Sequence, residues 1–277
     1  MATNQSQQAF FLSTPSGQRF CVYHPAIGNV TRAAVLYIHP FAEELNKSRR
    51  MASLQARQLA AKGFSVLQID LHGCGDSSGD FADATAQSWF EDISVAWDWL
   101  VTHSHESVLL WGLRLGATLA LDFSRAKNRQ PAGFLLWQPV LNGENYMSQL
   151  LRLRVASDML EGIKGGGVRE LRESLVQKKH LDIAGYRLNS DLVDYIDTMR
   201  LSDLTPLGIP VCWIDVIADK GLALSPLTAQ LSEKWRQANA SVAFHTAVGP
   251  AFWATQEITD CPDLVEQTVI NIDYLVA

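Results

Sequence analysis

The stretch Gly112-Leu113-Arg114-Leu115-Gly116 joins two segments of different character. The apolar run 107–111 before it predicts a buried strand, and the small apolar residues of 115–121 after it predict a helix. Glycines on both sides of a central residue let a strand and a helix pack closely around a sharp turn, which directs the central side chain into a pocket. Serine or cysteine at the centre would be a nucleophile. Arg114 stays protonated and offers only hydrogen-bond donors, so it cannot attack a carbonyl group.

The composition is typical of a globular protein with a substantial core. Of the 277 residues, 47% are hydrophobic and 19% are charged. The 23 basic and 29 acidic residues give a net charge of −6, which disfavours nonspecific binding to nucleic acid or anionic membranes. The first residues lack the pattern of a secretory signal, and no apolar run approaches the ~20 residues of a spanning helix. We therefore expect a cytoplasmic protein without membrane insertion.

The four cysteines are scattered and include no C-x-x-C pair. This spacing favours reduced thiols over a disulfide framework or a zinc site, so we expect neither a metal nor a cofactor. The glycine-rich run 73–79 lacks the lysine of a phosphate-binding loop and predicts a turn. Cys74 within this turn is an alternative nucleophile only if a lowered pKa or a neighbouring base activates its thiol.

Apolar runs alternate with helical patterns along most of the chain. The predicted strands cover 8–13, 18–24, 33–39, 64–70, 107–111, 133–138, 211–216 and 242–248. The first two predict a hairpin, and several of the later runs are continuously apolar, as in strands buried on both faces of a parallel sheet. Alternation of strands with helices implies right-handed crossovers. The sequence therefore predicts an α/β fold with a doubly wound, mostly parallel sheet and an N-terminal hairpin.

The predicted helix 85–102 is amphipathic. One face carries aromatic and aliphatic residues at helical spacing, namely Trp89, Ile93, Ala96, Trp97 and Leu100. The other face carries the carboxylates Glu91, Asp92 and Asp98. We expect the tryptophans to pack in the core.

The connection between the strands near 138 and 211 spans roughly 70 residues, far more than the usual few. We interpret 141–205 as a helical cap inserted into a core made of 1–140 and 206–277. Helical patterns near 145–160 and 189–200 flank glycines at 165–167. Open α/β sheets bind ligands outside the carboxyl ends of their strands, so we expect the cap to cover that edge, with the ligand cavity beneath it.

Three motifs in this order resemble the α/β-hydrolase superfamily: His39-Pro40 after the third strand, 70–77 after the fourth and 112–116 after the fifth. More narrowly, the stretches 40–50, 73–80 and 112–116 resemble the exosortase A system-associated hydrolases of the type called hydrolase 2. That resemblance implies a bacterial setting of exopolysaccharide production and protein sorting, with a protein partner in that pathway. The fold alone does not establish an activity.

The superfamily resemblance implies a triad in the chain order Ser, Asp or Glu, then His. The chain has Arg114 at the nucleophile position, Asp219 at the acid position and Phe252 at the histidine position. His245 lies within a predicted strand, where we expect a packed or surface side chain rather than one in the pocket. Two of the three triad members are therefore replaced.

Backbone donors survive such replacements. By analogy, an oxyanion site would use the amide of Leu115 and, because Pro40 has no N–H, the amide of Phe41 or Ala42. With Arg114, these donors suit a carboxylate or a phosphate.

Other residues near this site are expected to shape it or to neutralise its charge. His39 is expected at the pocket mouth, where it shapes the loop around the donors. Three carboxylates are candidate partners of Arg114: Glu43, Glu44 and Asp219.

Three functional interpretations follow. The first is a degenerate α/β hydrolase that binds a small anionic or acyl ligand under the cap. The second is an ester, thioester or amide hydrolase in which Asp219 or His72 activates water and Arg114 stabilises negative charge. The third is a non-catalytic protein-interaction component with a vestigial pocket.

Overall fold

The computed structural model describes residues 7–28, 30–104, 106–160, 162, 166–222 and 225–276. Its ten strands are β1 Gln8–Thr14, β2 Gly17–His24, β3 Ala33–Ile38, β4 Phe64–Ile69, β5 Val108–Leu113, β6 Gly133–Trp137, β7 His180–Ile183, β8 Tyr186–Asn189, β9 Val211–Ile217 and β10 Val242–Val248. Eight strands form the main sheet in the order β1-β2-β4-β3-β5-β6-β9-β10. The first two are antiparallel, and β3 to β6, β9 and β10 run parallel. The predicted α/β fold is confirmed.

The helices are α1 Glu43–Ala61, α2 Ala86–Ser104, α3 Leu115–Ala126, α4 Gly143–Leu160, α5 Val168–Lys178, α6 Ser190–Thr198, α7 Pro226–Gln237 and α8 Pro262–Asn271. Within the described ranges, none is long and apolar enough to cross a membrane. Helix α1 begins directly after Ala42, which adopts φ 50° and turns the chain into the helix.

The sheet is covered on both faces. Strand β3 sends Ala34, Leu36 and Ile38 into one apolar cluster and Ala33, Val35 and Tyr37 into another. The first cluster includes α2 and α3, and the second includes α1 and α8. Alternation of side chains between two buried faces explains why this strand is continuously apolar.

Asp92 was predicted on the polar face of α2, but the structure buries it. Its carboxylate is fully buried and accepts a hydrogen bond from Nε of Arg19 on β2 at 2.6 Å. The second Asp92 oxygen accepts from the His72 amide at 2.6 Å. A carboxylate with such partners can lie in the core, whereas helical spacing alone places it outside. The expected apolar face, including Trp89 and Trp97, is buried.

Residues 141–205 form α4, α5, α6 and a two-stranded antiparallel sheet of β7 and β8. The expectation of a largely helical segment therefore missed this hairpin. Its turn residues Ala184 and Gly185 have φ values of 48° and 84°, which suits a tight hairpin turn but is less recognisable in sequence than Asn-Gly. Gly165 lies outside the described residues, while Gly166 and Gly167 directly precede α5. The division into core and cap stays a prediction.

Candidate functional site

The turn between β5 and α3 has the geometry that its glycines predict. Arg114 adopts φ 56° and ψ −122°, a region that side chains other than glycine rarely adopt. A Cβ atom on Gly112 would lie 2.4 Å from the Ala117 nitrogen, and one on Gly116 would lie 2.3 Å from the Ile38 carbonyl oxygen. Both positions therefore need glycine for the helix to approach the sheet.

Neighbouring backbone groups hold Arg114 in this conformation. Its amide donates to the Trp137 carbonyl at 2.9 Å, and its carbonyl accepts from Ala117 at 3.1 Å and Val140 at 3.3 Å. The amide of Leu115 occupies the first position of α3, where a helix offers no internal acceptor. The turn therefore presents a helix N-terminus beside the Arg114 side chain.

The Arg114 guanidinium is held by one carboxylate and two aromatic rings. Its Nε lies 3.3 Å from Oε1 of Glu44, and the Tyr146 hydroxyl donates to Oε2 of Glu44 at 3.1 Å. The guanidinium carbon lies 5.5 Å from the Tyr146 ring centre and 5.3 Å from that of Trp253. Among the described residues, its terminal nitrogens Nη1 and Nη2 form no hydrogen bond with the protein. Both terminal nitrogens are therefore available to donate hydrogen bonds to a ligand.

Of the three candidate partners, only Glu44 pairs with Arg114 in the described structure. Glu43 pairs instead with Lys47 at 3.2 Å. Asp219 is exposed; its carboxylate accepts a hydrogen bond from the Gly221 amide at 3.3 Å, and its carbonyl accepts one from the Leu222 amide at 3.1 Å. Burial raises the pKa of the Glu44 carboxyl, and the positive charge of Arg114 opposes that rise.

The loop after β10 approaches the turn through Trp253, a residue that the sequence did not point to. Phe252, at the expected histidine position, is fully buried, whereas the next residue, Trp253, faces Arg114. Among the described residues, this side of Arg114 therefore faces an aromatic ring and no imidazole. His245 lies in β10 and is half-buried.

The loop after β3 is fixed by a buried histidine. His39 Nδ1 lies 2.7 Å from the Pro40 carbonyl oxygen, and Nε2 lies 3.2 Å from the Leu71 amide. These partners assign the proton to Nδ1 and make Nε2 the acceptor. Burial lowers the pKa of His39, which keeps the ring neutral. Phe41 is buried and packs against Tyr146, with ring centres 6.2 Å apart.

The other catalytic candidates are engaged elsewhere. His72 Nδ1 lies 2.9 Å from Nη2 of Arg19, within the buried contact to Asp92. Cys74 is buried, and burial raises the pKa of its thiol, so it lacks the activation that a nucleophile needs. No group of metal-binding side chains occurs in the described part of the chain.

Two clefts adjoin the turn. The inner cleft, of about 210 Å³, is lined by Arg114, Gln138, Tyr146, Gln149 and Ser225 among others. The outer cleft, of about 630 Å³, lies between α7 and the segments around Asn142 and Arg200. The inner cleft therefore has the Arg114 guanidinium on its wall.

The sequence match to a known family includes the sharp turn after β5. Residues 29–195 match the family model described as "Serine aminopeptidase, S33". The chain belongs to this S33 family. It is a member of the α/β-hydrolase superfamily. No curated protein sequence matches the chain significantly.

Solved structures share the fold of this S33-family chain at low identity. Est1E from Butyrivibrio proteoclasticus is 13% identical with a TM-score of 0.68, over 97% of this chain and 98% of Est1E. A serine hydrolase homologue from Coxiella burnetii is 14% identical with a TM-score of 0.57, over 98% and 100%. Mouse α/β hydrolase domain-containing protein 10 is 15% identical with a TM-score of 0.56, over 97% and 98%.

Sequence reasoning on this S33-family member missed three residues at the site. Tyr146 and Trp253 contact Arg114 from segments far away in sequence. Asp215 is buried in β9, where its carboxylate accepts from Trp213 Nε1 at 2.7 Å, and burial raises its pKa. The signal that could have identified Asp215 is an aspartate within the otherwise apolar run 211–216.

Proposed function

We propose that this S33-family chain binds a small anionic or acyl ligand at the turn and does not use a serine triad. The observation that carries the proposal is that the terminal nitrogens of Arg114 are available to a ligand. Its terminal nitrogens have no protein acceptor among the described residues, and it lines the inner cleft. Carboxylates and phosphates both accept two parallel hydrogen bonds from a guanidinium group.

The surroundings of Arg114 support this proposal. The side chain is 17% exposed, and it lines the inner cleft. Glu44 contacts Nε alone, and the Tyr146 and Trp253 rings restrict the guanidinium without accepting from its terminal nitrogens. A restricted guanidinium loses little conformational entropy when a ligand binds. The amide of Leu115 offers a further donor at the helix N-terminus.

A binding experiment tests this proposal. We expect hexanoate to bind the wild-type protein in isothermal titration calorimetry. Arg114→Gln should abolish that binding, while Arg125→Gln should retain it, because Arg125 lies at the far end of α3 and pairs with Asp122. Equal hexanoate affinity in wild type and Arg114→Gln would contradict the proposal.

A second candidate is hydrolysis by water activated at Glu44. The observation that favours it is the raised pKa of this carboxyl beside a cationic side chain that could stabilise negative charge. An esterase rate above that of the denatured protein, lost in Glu44→Gln, would support hydrolysis. Turnover equal to that background would exclude it for the ester tested.

The biological setting is a proposal of its own. Its support is the resemblance of 40–50, 73–80 and 112–116 to exosortase A system-associated hydrolases, which implies bacterial exopolysaccharide production and a protein partner in that pathway. Loss of exopolysaccharide on deletion of the gene, restored by wild type and not by Arg114→Gln, would support the setting.

A further inference from the structure

The inner and outer clefts adjoin each other. Four residues line both of them: Leu141, Asn142, Asn145 and Leu227. A ligand held at Arg114 therefore lies beside the outer cleft.

Size favours a ligand that uses both clefts. Sites for small organic ligands usually measure about 300–1,000 Å³. The inner cleft of about 210 Å³ falls below this range, and the outer cleft of about 630 Å³ falls within it. Arg114 can hold the end of such a ligand, while the outer cleft holds the rest.

The lining of the outer cleft suits a chain that carries a polar group at its far end. Only three of its lining residues are apolar: Leu141, Leu227 and Leu231. The remainder carry amide, hydroxyl or charged groups, including Gln230 and Gln237 on α7. An alkyl chain can pack on the three leucines, but without a polar end it would remove the neighbouring polar groups from water and offer them no hydrogen bond, which costs free energy.

Lys234 is the cation of the outer cleft that lacks an acidic partner. Arg200 pairs with Glu144 at 2.9 Å, and Glu233 pairs with Arg236 at 3.2 Å. Lys234 Nζ instead donates to the Ser202 carbonyl at 3.2 Å, and no carboxylate of the described residues forms an ion pair with it. In a chain of net charge −6, each of the two adjoining clefts thus offers an available cationic donor.

We infer that the two clefts bind an elongated acid with an anionic group at both ends, of the dicarboxylate class. One end is held by Arg114 and the other by Lys234, with the chain between them along Leu227. This inference rests on the proposed function, because it takes Arg114 as the first anchor.

Paired ligands of equal chain length test the inference. Isothermal titration of wild type should compare the α,ω-dicarboxylates from glutarate to sebacate with the monocarboxylates from pentanoate to decanoate. At one chain length, the dicarboxylate should bind about fivefold more tightly than its monocarboxylate partner, a change typical of a single partly exposed ion pair. Lys234→Ala should abolish this preference. The control Lys178→Ala, an exposed lysine on α5 outside both clefts, should retain it.

Two results would overturn the inference, and they are distinguishable. If monocarboxylates bind at Arg114 but dicarboxylates show no preference at any length, or keep it in Lys234→Ala, then the second anchor is wrong and the proposed function stands. If neither ligand class binds the wild-type protein, both the proposed function and the inference fail.

Discussion

Arg114 and Glu44 form an ion pair at the turn where β5 meets α3, with 3.3 Å between Nε and Oε1. The residue at the nucleophile position of the fold is thus tied to the first turn of α1. The two side chains are 17% and 19% exposed, so each depends on the other for compensation of its charge. Because this contact uses Nε, the terminal nitrogens of Arg114 are available to a ligand in the inner cleft.

The first prediction concerns stability. Arg114→Ala should lower the free energy of unfolding by about 2 kcal/mol, between the ~0–1 of exposed pairs and the ~3–5 of fully buried ones. The loss arises mainly from the unpaired Glu44, so Glu44→Gln should recover most of it in the Arg114→Ala background. Urea denaturation of the two single variants and the double variant measures this coupling. Independent, additive losses would show that the two residues do not compensate each other.

The second prediction concerns nucleophilic chemistry. Neither wild type nor Arg114→Ser should react with a serine-directed fluorophosphonate at the turn. A serine hydroxyl needs a neighbouring base to attack, and the described loop after β10 presents Trp253 there rather than an imidazole. Mass spectrometry of labelled protein checks this outcome. A fluorophosphonate adduct on the introduced serine would show that another group, such as Glu44, activates it.

The third prediction concerns the buried pair of Arg19 and Asp92. Asp92→Ala should cost about 3–5 kcal/mol of unfolding free energy, because it leaves the fully buried Arg19 charge without its partner. The matched control is Asp98→Ala on the same helix, whose partner Arg129 is 36% exposed. That change should cost at most ~1 kcal/mol. Similar losses in the two variants would contradict the assigned role of Asp92.

The features that could be predicted from the sequence are those that depend on patterns of neighbouring residues. The glycines around Arg114 predicted the sharp turn, and the apolar runs predicted the parallel strands, because both depend on residues close together in the chain. Asp92 was misplaced because its partner Arg19 lies 73 residues away, beyond the reach of helical spacing. Phe252 and Trp253 lie in an irregular loop without periodicity, so the sequence could not tell which ring faces Arg114.

The fourth prediction concerns pH. Burial raises the Glu44 pKa above the ordinary 4.5, so Glu44 takes up a proton as the pH falls while exposed glutamates are still ionised. Protonation removes a negative charge beside Arg114, with Lys47 and the Tyr146 hydroxyl as the other groups facing Glu44. Benzenesulfonate, which stays charged throughout, should therefore bind more tightly at pH 5 than at pH 8. In Glu44→Gln the difference should shrink. An equal pH dependence in both proteins would exclude Glu44 as its source.

A crystal structure with 4-bromobenzoate tests the central claim most directly, because anomalous scattering locates the bromine and the map shows the carboxylate. The account predicts the ligand in the inner cleft, with its carboxylate on Nη1 and Nη2 of Arg114 and the Arg114–Glu44 contact retained through Nε. Bromobenzoate bound away from Arg114, or terminal nitrogens already occupied by a protein carboxylate at saturating ligand, would contradict the claim that this turn is an anion-binding site.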